Sequence, residues 1–364
     1  MNHLLVSLDR TKRCAPRPNP LPPMKAEDMP VVRAERAVEP GRARDPRCQD
    51  YCIELKHEWT VGHKTLWLRV MPSKGECKGV MVYVHGGGFV FGAKDEEDKA
   101  LGLVSVDGSL MVVSVGYRLA PEHPHPTQQE DVTSALHWLS TFAGRQFMVQ
   151  HNRNRDPESP KEIRLVVDTE LKAENQDPDT PTWVNKVLIS GESAGAYLAA
   201  QSVANLYSRF NIADFIKGSC LMYGCYNTDR SPSSYDVPDH IPLAPYDMEL
   251  FLDLTFTKEQ RASRDPSINA LYNPYLRETI VNGTNKVLII AGTNDILYDD
   301  SAFFFMKLAK FVQNAKNGID GKEEEGPVPD VEFRAVHGES HACFDRSESF
   351  AKIVQQWIKR AISC

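Results

Sequence analysis

The sequence predicts an α/β fold built on a mostly parallel, doubly wound sheet of eight strands. Apolar runs of strand length alternate with longer segments of helical periodicity, which is typical of parallel strands joined by helices. Strands are expected near residues 51–58, 64–71, 79–85, 110–116, 186–190, 216–222, 286–291 and 331–336. Helices are expected near residues 96–107, 128–142, 194–208, 246–254, 301–315 and 347–361. The first two strands are expected to form an antiparallel pair.

Composition and charge narrow the class of protein. The 364 residues are 41% hydrophobic and 25% charged, which is ordinary for a globular protein and enough for a large core. The formal net charge of −7 argues against a nucleic-acid partner. No apolar run reaches membrane-spanning length, and the first ten residues lack the apolar core of a signal peptide. The eight cysteines have irregular spacing without a metal-binding pattern, so we expect reduced thiols in a cytoplasmic protein.

The stretch from Gly191 to Gly195, with the sequence Gly-Glu-Ser-Ala-Gly, is the most informative part of the chain. It follows an apolar run and leads into a helical segment, so Ser193 is expected at the apex of a sharp strand–turn–helix connection. Such a turn exposes the serine hydroxyl and points the first amides of the helix at it. The pattern is short and also fits a plain helix start, so the rest of the chain must decide between the two interpretations.

A glycine-rich loop follows the third predicted strand and runs His-Gly-Gly-Gly-Phe from His85 to Phe89. Ester cleavage passes through a tetrahedral oxyanion that two or three converging amides stabilise, and glycines let amides approach closely. We therefore expect the amides of Gly86, Gly87 and Ala194 to form an oxyanion hole. His85 is expected to orient this loop, because the catalytic base should come last in chain order.

The acid of a catalytic triad is expected after Ser193 and before the base. Asp295 follows the apolar run 286–291 at the end of a predicted strand, which is where an orienting carboxylate belongs. Asp299 and Asp300 open a predicted helix, where acidic residues are common for electrostatic reasons. Asp295 is therefore the predicted acid.

Two histidines compete for the role of the base. His337 lies directly at the end of the last predicted strand, and His341 lies one loop further on. A base must reach the serine from a loop over the edge of the sheet, which favours His341. The predicted triad is Ser193, Asp295 and His341.

Four motifs together resemble the hormone-sensitive-lipase-like branch of the α/β-hydrolases, which includes carboxylesterases. They are the His-Gly-Gly-Gly loop, the segment Tyr-Arg-Leu-Ala-Pro-Glu-His-Pro at 117–124, the Gly-Glu-Ser-Ala-Gly turn, and Asp-Ile-Leu-Tyr-Asp at 295–299. The resemblance covers about residues 60–360 and implies an α/β-hydrolase fold with a helical cap. It supports the same triad and oxyanion residues. The family usually has aspartate at Glu192, and its histidine motif usually lacks the thiol that Cys343 places beside the base.

The domain organisation follows partly from this resemblance. We expect an N-terminal tail or cap segment at 1–45, partly disordered, and one hydrolase domain at 46–364. Within that domain, a polar insertion at about 143–183 is interpreted as solvated loops, and a cap insertion is expected at about 224–275.

Four aromatic residues are candidates for the wall of the substrate pocket. Phe89 and Phe91 follow the glycine loop, and Tyr246 and Phe251 lie in the expected cap. The cap aromatics fit equally well as residues that pack the cap onto the core.

These observations predict a serine carboxylesterase that hydrolyses small to medium apolar esters through an acyl-enzyme intermediate, without a cofactor or a metal. An acyltransferase of a small-molecule, secondary-metabolite pathway is the alternative, since the same triad passes an acyl group to an alcohol or amine when water is excluded. A non-catalytic binding protein is disfavoured because all three triad residues are present. The expected partner is a small-molecule ester, and a homodimer is left open.

Overall fold

The structure is a computed structural model that describes residues 26–31, 33, 44–55, 65–95, 98–154, 156, 158–167, 180–212, 214–229, 243–276, 279, 286–316 and 330–363. The strands in these ranges are β1 (Gln49–Leu55), β2 (Thr65–Met71), β3 (Gly79–Val84), β4 (Leu110–Gly116), β5 (Glu162–Val167), β6 (Val187–Glu192), β7 (Ile216–Met222), β8 (Lys286–Gly292) and β9 (Val331–Val336). The α-helices are α1 (Asp98–Val104), α2 (Thr127–Ser140), α3 (Phe142–His151), α4 (Ala194–Phe210), α5 (Pro245–Thr255), α6 (Lys258–Ala262), α7 (Tyr298–Lys316) and α8 (Glu348–Ile362). Short 3₁₀ helices lie at Ala26–Asp28, Thr182–Asn185 and Ala270–Tyr272.

The described strands form a single nine-stranded sheet in the order β5-β1-β2-β4-β3-β6-β7-β8-β9. From β4 to β9 all neighbours are parallel, whereas β2 runs antiparallel to both β1 and β4. The expected mostly parallel sheet with an early antiparallel pair is therefore confirmed. β6 lies near the centre, between β3 and β7, so the residues that follow it emerge in the middle of the carboxyl edge of the sheet.

The number of strands differs from the expected eight, and the extra strand lies in the segment interpreted as solvated loops. β5 pairs in parallel with β1 at one edge of the sheet, with Tyr51 opposite Ile163. Ile163 and Leu165 pack against the core, while Arg164 and Val166, which alternate with them, are exposed. This alternation is typical of an edge strand. The alternation is short and is flanked by charged and polar residues, so the apolar pattern of the sequence does not predict this strand. The helix α3 also lies in that segment.

Helices cover both faces of the sheet. One apolar cluster joins the sheet to α2, α4 and α7, and a second joins it to α1 and α8. β3 is buried along its whole length and β4 along nearly all of it, as expected for strands covered on both faces. The fold is thus the doubly wound α/β arrangement that the sequence predicts.

Two further segments cover the carboxyl edge of the sheet. Met29 is completely buried, and the guanidinium of Arg33 donates to the carbonyl of Val90 at 2.7 Å and forms an ion pair with Glu122 at 2.8 Å. The described part of the N-terminal segment is therefore docked on the core, and the tail before residue 26 lies outside the described residues. The segment at about 224–275, where the sequence predicts a cap, contains α5 and α6.

None of the described helices is long and apolar enough to cross a membrane. The six cysteines in the described ranges are free thiols.

Candidate active site

Ser193 lies at the apex of the turn between β6 and α4. Its φ of 52° and ψ of −123° are a conformation that residues with a side chain rarely adopt. The turn is held by the Ser193 amide, which donates to the Met222 carbonyl at 2.9 Å, and by the Ala196 amide, which donates to the Ser193 carbonyl at 3.0 Å. The strained serine is thus anchored to β7 on one side and to the helix on the other.

The glycines on either side of the serine are required by close backbone contacts. A Cβ at Gly191 would collide with the Gly195 carbonyl oxygen. A Cβ at Gly195 would collide with the carbonyl oxygens of Val84 and His85 at the end of β3. The Gly-x-Ser-x-Gly pattern is therefore a packing requirement of this turn.

A continuous hydrogen-bond chain connects the three residues of the predicted triad. His341 Nε2 lies 2.9 Å from Ser193 Oγ, and His341 Nδ1 lies 2.8 Å from Asp295 Oδ2. Because a carboxylate only accepts hydrogen bonds, Nδ1 carries the proton and Nε2 is free to accept the serine proton. The second carboxylate oxygen of Asp295 accepts the Leu297 amide at 2.8 Å, which holds the carboxylate in place. All three side chains are buried.

The rival candidates lie elsewhere. His337 is exposed in the turn after β9. Asp300 is completely buried in the first turn of α7, and its burial raises the pKa of the carboxyl well above its ordinary value. The structure therefore brings His341 and Asp295 to Ser193, and does not place His337 there.

The glycine loop lies directly against the serine. The Cβ position of Gly86 is 3.4 Å from Ser193 Cβ, so a side chain there would press on the serine. Gly87 has a φ of 101°, and its carbonyl accepts the amides of Val90 at 3.1 Å and Phe91 at 2.8 Å, which closes the turn. Among the residues that the structure describes, the amides of Gly86, Gly87 and Ala194 have no hydrogen-bond acceptor. These three amides are therefore free to donate hydrogen bonds to a ligand.

His85 supports this loop. Its ring stacks on Tyr117 with centroids 4.1 Å apart, and its Nδ1–H donates to the Gly86 carbonyl at 2.9 Å. The Tyr117 hydroxyl lies 3.0 Å from the carbonyl oxygens of both His85 and Gly86. Burial lowers the pKa of His85 to about 4, so the imidazole is neutral near pH 7. His85 therefore orients the loop, in agreement with the sequence argument.

Comparison with known proteins identifies the family. A family profile described as "alpha/beta hydrolase fold" matches residues 81–319, which is more than half of the chain. The chain belongs to the α/β-hydrolase family. Together with relatives named as esterases, this match confirms the resemblance to the hormone-sensitive-lipase-like branch.

Two curated relatives and one solved structure illustrate the relationship. Esterase LipI of Mycobacterium tuberculosis is 42% identical over 86 residues, which are 24% of this chain and 26% of LipI. The 2-hydroxyisoflavanone dehydratase of Glycyrrhiza echinata is 24% identical over 292 residues, which are 77% of this chain and 74% of that enzyme. A Pyrobaculum calidifontis esterase structure has a TM-score of 0.66 at 22% identity and covers 94% of both chains. The match to LipI thus spans about a quarter of that relative, and the esterase structure is similar in fold.

The segment at 117–124 connects the glycine loop of this α/β-hydrolase to a neighbouring helix. The Arg118 guanidinium pairs with both carboxylate oxygens of Asp131 in α2, with the closest contact at 2.7 Å. The Ala120 amide donates to the Phe89 carbonyl at 3.0 Å. The motif therefore ties the glycine loop to α2.

Of the four residues predicted to line the pocket, two pack against each other and two lie elsewhere. Phe91 and Phe251 pack edge to face with centroids 5.7 Å apart, and the Phe251 ring occupies the space that a Cβ of Gly88 would need. Phe89, in contrast, is 1% exposed and packs into the core against Tyr197. Tyr246 is 40% exposed on the surface of α5. Only Phe91 and Phe251 thus lie against the glycine loop.

Two tyrosines beside the predicted triad are not among the residues that the sequence predicts for the site. Tyr83 at the end of β3 and Tyr223 just after β7 both donate hydroxyl protons to the carboxylate of Glu192, at 2.7 Å and 2.5 Å. Both tyrosines lie at the ends of strands that flank β6, and all three strands end at the same edge of the sheet. Their proximity to Glu192 therefore follows from the strand order, which the sequence does not predict.

The thiol of Cys343 is not part of this chemistry. It is buried, and burial raises its pKa to about 12. A neutral thiol is a poor nucleophile. Within the described ranges, no group of three or more histidine, cysteine or acidic side chains is placed to hold a metal ion.

Proposed function

We propose that this α/β-hydrolase is a serine carboxylesterase that cleaves small to medium apolar carboxylic esters through an acyl-enzyme intermediate. The hydrogen-bond chain from Asp295 through His341 to Ser193 carries the proposal. The name of esterase LipI, a relative over part of the chain, supports the same reaction class.

Acylation follows from the positions of these groups. Ser193 Oγ attacks the ester carbonyl carbon while His341 Nε2 takes the serine proton, and Asp295 stabilises the imidazolium that forms. The carbonyl oxygen becomes an oxyanion that accepts hydrogen bonds from the amides of Gly86, Gly87 and Ala194. The tetrahedral intermediate then collapses, the ester C–O bond breaks, and His341 returns the proton to the departing alkoxide. The products of this half are an alcohol and an acyl-serine.

Deacylation repeats the same steps with water as the nucleophile. His341 Nε2 removes a proton from water, the resulting hydroxide attacks the acyl carbon, and the same amides stabilise the second oxyanion. Collapse of this intermediate returns the proton to Ser193 Oγ and releases the carboxylic acid. Every proton moves through His341, so no cofactor is needed.

Apolar side chains beside the glycine loop support the proposed substrate size. Phe91 and Phe251 are buried and pack against each other, and the Phe251 ring lies against Gly88, where a substrate chain would pass the oxyanion donors. Their rings present apolar surface without a charged group, which suits an uncharged acyl or alkoxy chain. The Phe251 ring on Gly88 limits the space at that point.

The proposal is tested by covalent labelling and by hydrolysis of aryl esters of increasing acyl length. A fluorophosphonate is expected to modify Ser193, and mass spectrometry of the labelled peptide identifies the site. Ser193→Ala and His341→Ala are each expected to lower kcat about 10⁶-fold, since the nucleophile and the base act as a unit. His337→Ala is the matched control and is expected to retain activity. Folded protein that leaves Ser193 unlabelled would contradict the proposal.

The same assay separates hydrolysis from acyl transfer. With an acceptor alcohol present, an esterase releases mainly the free acid, whereas an acyltransferase forms mainly the new ester. A dominant ester product would replace carboxylesterase by acyltransferase while leaving the triad assignment intact.

We further propose that two copies pair through the outer edge of β9. In the described part of the chain β9 is the terminal strand, and Phe303 and Met306 of α7, a helix that packs beside it, are 44% and 51% exposed. An unpaired edge next to exposed apolar side chains is suited to association. Sedimentation of the native protein is expected to show a dimer, and a Phe303→Glu/Met306→Glu variant is expected to sediment as a monomer. A native monomer at micromolar concentration would refute this pairing.

A further inference from the structure

The residue before the nucleophile has an unusual environment. The carboxylate of Glu192 accepts the Tyr83 hydroxyl on one oxygen at 2.7 Å and the Tyr223 hydroxyl on the other at 2.5 Å. Both tyrosine side chains are completely buried. Among the described residues, no lysine, arginine or histidine forms an ion pair with Glu192. We call this arrangement of Glu192, Tyr83 and Tyr223 the tyrosine clamp.

The geometry of the tyrosine clamp is that of a negatively charged carboxylate. Each oxygen has its own hydroxyl donor, and the short distances are typical of hydrogen bonds to an ionised acceptor. Burial, reinforced by the neighbouring Glu192, holds the pKa of Tyr223 well above its ordinary value, so this phenol keeps its proton and donates it. The clamp therefore carries one negative charge that the hydroxyl groups stabilise.

The clamp touches two parts of the proposed catalytic machinery. The Tyr223 ring meets the His341 ring at a centroid distance of 5.0 Å and an interplanar angle of 64°, with Phe350 behind it at 5.5 Å. On the other side, Glu192 Cγ lies 3.2 Å from the Cβ position of Gly86. Movement of the Glu192 side chain would therefore displace groups that contact both His341 and the glycine loop.

The backbone fixes Tyr223 as firmly as its side chain does. Its amide donates to the Ile290 carbonyl at 2.7 Å, and its φ of 39° is rare for a residue with a side chain. This conformation directs the ring from the end of β7 across to His341 and not along the strand. The strain is consistent with a functional position.

We propose that Glu192 is a positioning residue whose clamped carboxylate holds the Tyr223 ring against His341 and stabilises the positive charge that His341 acquires during catalysis. The inference rests on the proposed esterase function. It assigns a second carboxylate to the base, acting through Tyr223 and in addition to Asp295, which bonds it directly.

The length of the side chain matters for this role. An aspartate, which is the more usual residue of the family at this position, is one methylene shorter than Glu192. From the same backbone position it would not span the two phenols, and one buried hydroxyl would lose its acceptor. The clamp is thus specific to the glutamate of this chain.

Other groups around His341 are few, so the effect of Glu192 can be isolated. Asp295 bonds Nδ1 and Ser193 bonds Nε2. Burial raises the pKa of Cys343 to about 12, so its thiol adds no charge. The guanidinium of Arg346 donates to the Ala342 carbonyl at 3.1 Å and reaches the His341 carbonyl at 3.4 Å, and the carboxylate of Glu339 accepts the Ser347 hydroxyl at 2.6 Å. These charged groups stay unchanged when Glu192 is replaced. Removing the charge of Glu192 should therefore appear directly in the pH dependence of catalysis.

The test compares Glu192→Gln and Tyr223→Phe with Tyr51→Phe as a matched control. Tyr51 is also a buried tyrosine, but it lies on β1, away from the site. Its hydroxyl lies 2.9 Å from Nδ1 of His151 in α3. The value of kcat for aryl ester hydrolysis is calculated per fluorophosphonate-reactive protein, measured in a parallel sample. Misfolded protein is thereby excluded from the enzyme concentration.

Glu192→Gln is expected to lower kcat about tenfold with little change in KM, because the lost charge stabilises the transition state more than the bound ester. The negative charge stabilises the imidazolium of His341, so its removal should move the acid-side midpoint of the kcat/KM profile to lower pH. Tyr223→Phe should shift kcat in the same direction by a smaller factor. Tyr51→Phe should change neither quantity.

Glu192→Asp separates charge from position, because it keeps the charge and shortens the side chain. We expect a lower kcat with the acid-side midpoint of the native protein, and this variant also serves if Glu192→Gln does not fold. Native kcat and an unmoved acid limb in labelled Glu192→Gln and Tyr223→Phe would overturn the inference. Failure of the native protein to label at Ser193 would instead refute the proposed function.

Discussion

Acidification is expected to destabilise this α/β-hydrolase, and the buried His85 contributes a part of this effect that a single substitution can isolate. The side chain is 1% exposed, its Nδ1–H donates to the Gly86 carbonyl, and its Nε2 has no partner among the described residues. Protonation would place a positive charge and an unsatisfied N–H group in an apolar environment. Burial therefore lowers the pKa of His85 from 6.5 to about 4.

The size of the effect follows from this shift. One pKa unit corresponds to about 1.4 kcal/mol. Because the folded pKa is the lower one, the unfolded chain binds more protons between the two values. The contribution of neutral His85 to stability is therefore complete above the unfolded pKa of 6.5 and is lost as pH falls towards about 4. Linkage gives a loss of about 2 kcal/mol between pH 7 and pH 5, and about 3 kcal/mol by pH 4.

Urea denaturation at pH 7 and pH 5 measures this loss. The free energy of unfolding of the native protein is compared with that of His85→Gln, which cannot be protonated, and of His337→Gln, which changes an exposed histidine. The difference between native protein and His85→Gln is expected to change by about 2 kcal/mol between the two pH values. His337→Gln should follow the native protein. Parallel losses in native protein and His85→Gln would refute the reasoning.

Three further predictions concern packing and burial. Gly195→Ala is expected to abolish folding or activity because its Cβ meets backbone oxygens of β3, whereas Gly102→Ala, with open space around it in α1, should raise the free energy of unfolding by about 0.5–1 kcal/mol; thermal melting and ester hydrolysis check both. Asp300→Asn should stabilise the protein more at pH 8 than at pH 5, because burial keeps this carboxyl protonated when folded, and equal urea midpoint shifts would contradict this. Phe251→Ala should shift preference towards longer acyl chains by clearing the space over Gly88, and an unchanged ranking of aryl esters would count against it.

Much of the site was predictable because its determinants are local. The glycines at 191 and 195 are required by contacts within one turn, so the Gly-x-Ser-x-Gly pattern predicts the strained serine. Asp295 follows β8 closely, and His341 lies in the loop beyond His337 after β9. Asp299 is set apart because it opens a helix, and His337 because it lies at the strand end. These residues lie at strand ends that a parallel sheet brings to one edge.

The side-chain directions near the pocket were not predictable in the same way. Phe89 and Phe91 lie two residues apart, yet Phe89 enters the core towards Tyr197 and Phe91 meets Phe251. The positive φ angles of Gly87, Gly88 and Phe89 decide those directions. Such angles arise from the closed turn and not from the apolar pattern.

The sequence alone thus predicted eight of the nine described strands, the strained serine turn and the partners of Ser193, because each depends on short segments and on chain order. The tertiary structure decided what distant segments do together. It added β5 at the edge of the sheet, since strand pairing depends on a neighbour about a hundred residues away. It also joined Tyr83 and Tyr223 to Glu192, because β3 and β7 flank β6 only after the sheet has formed.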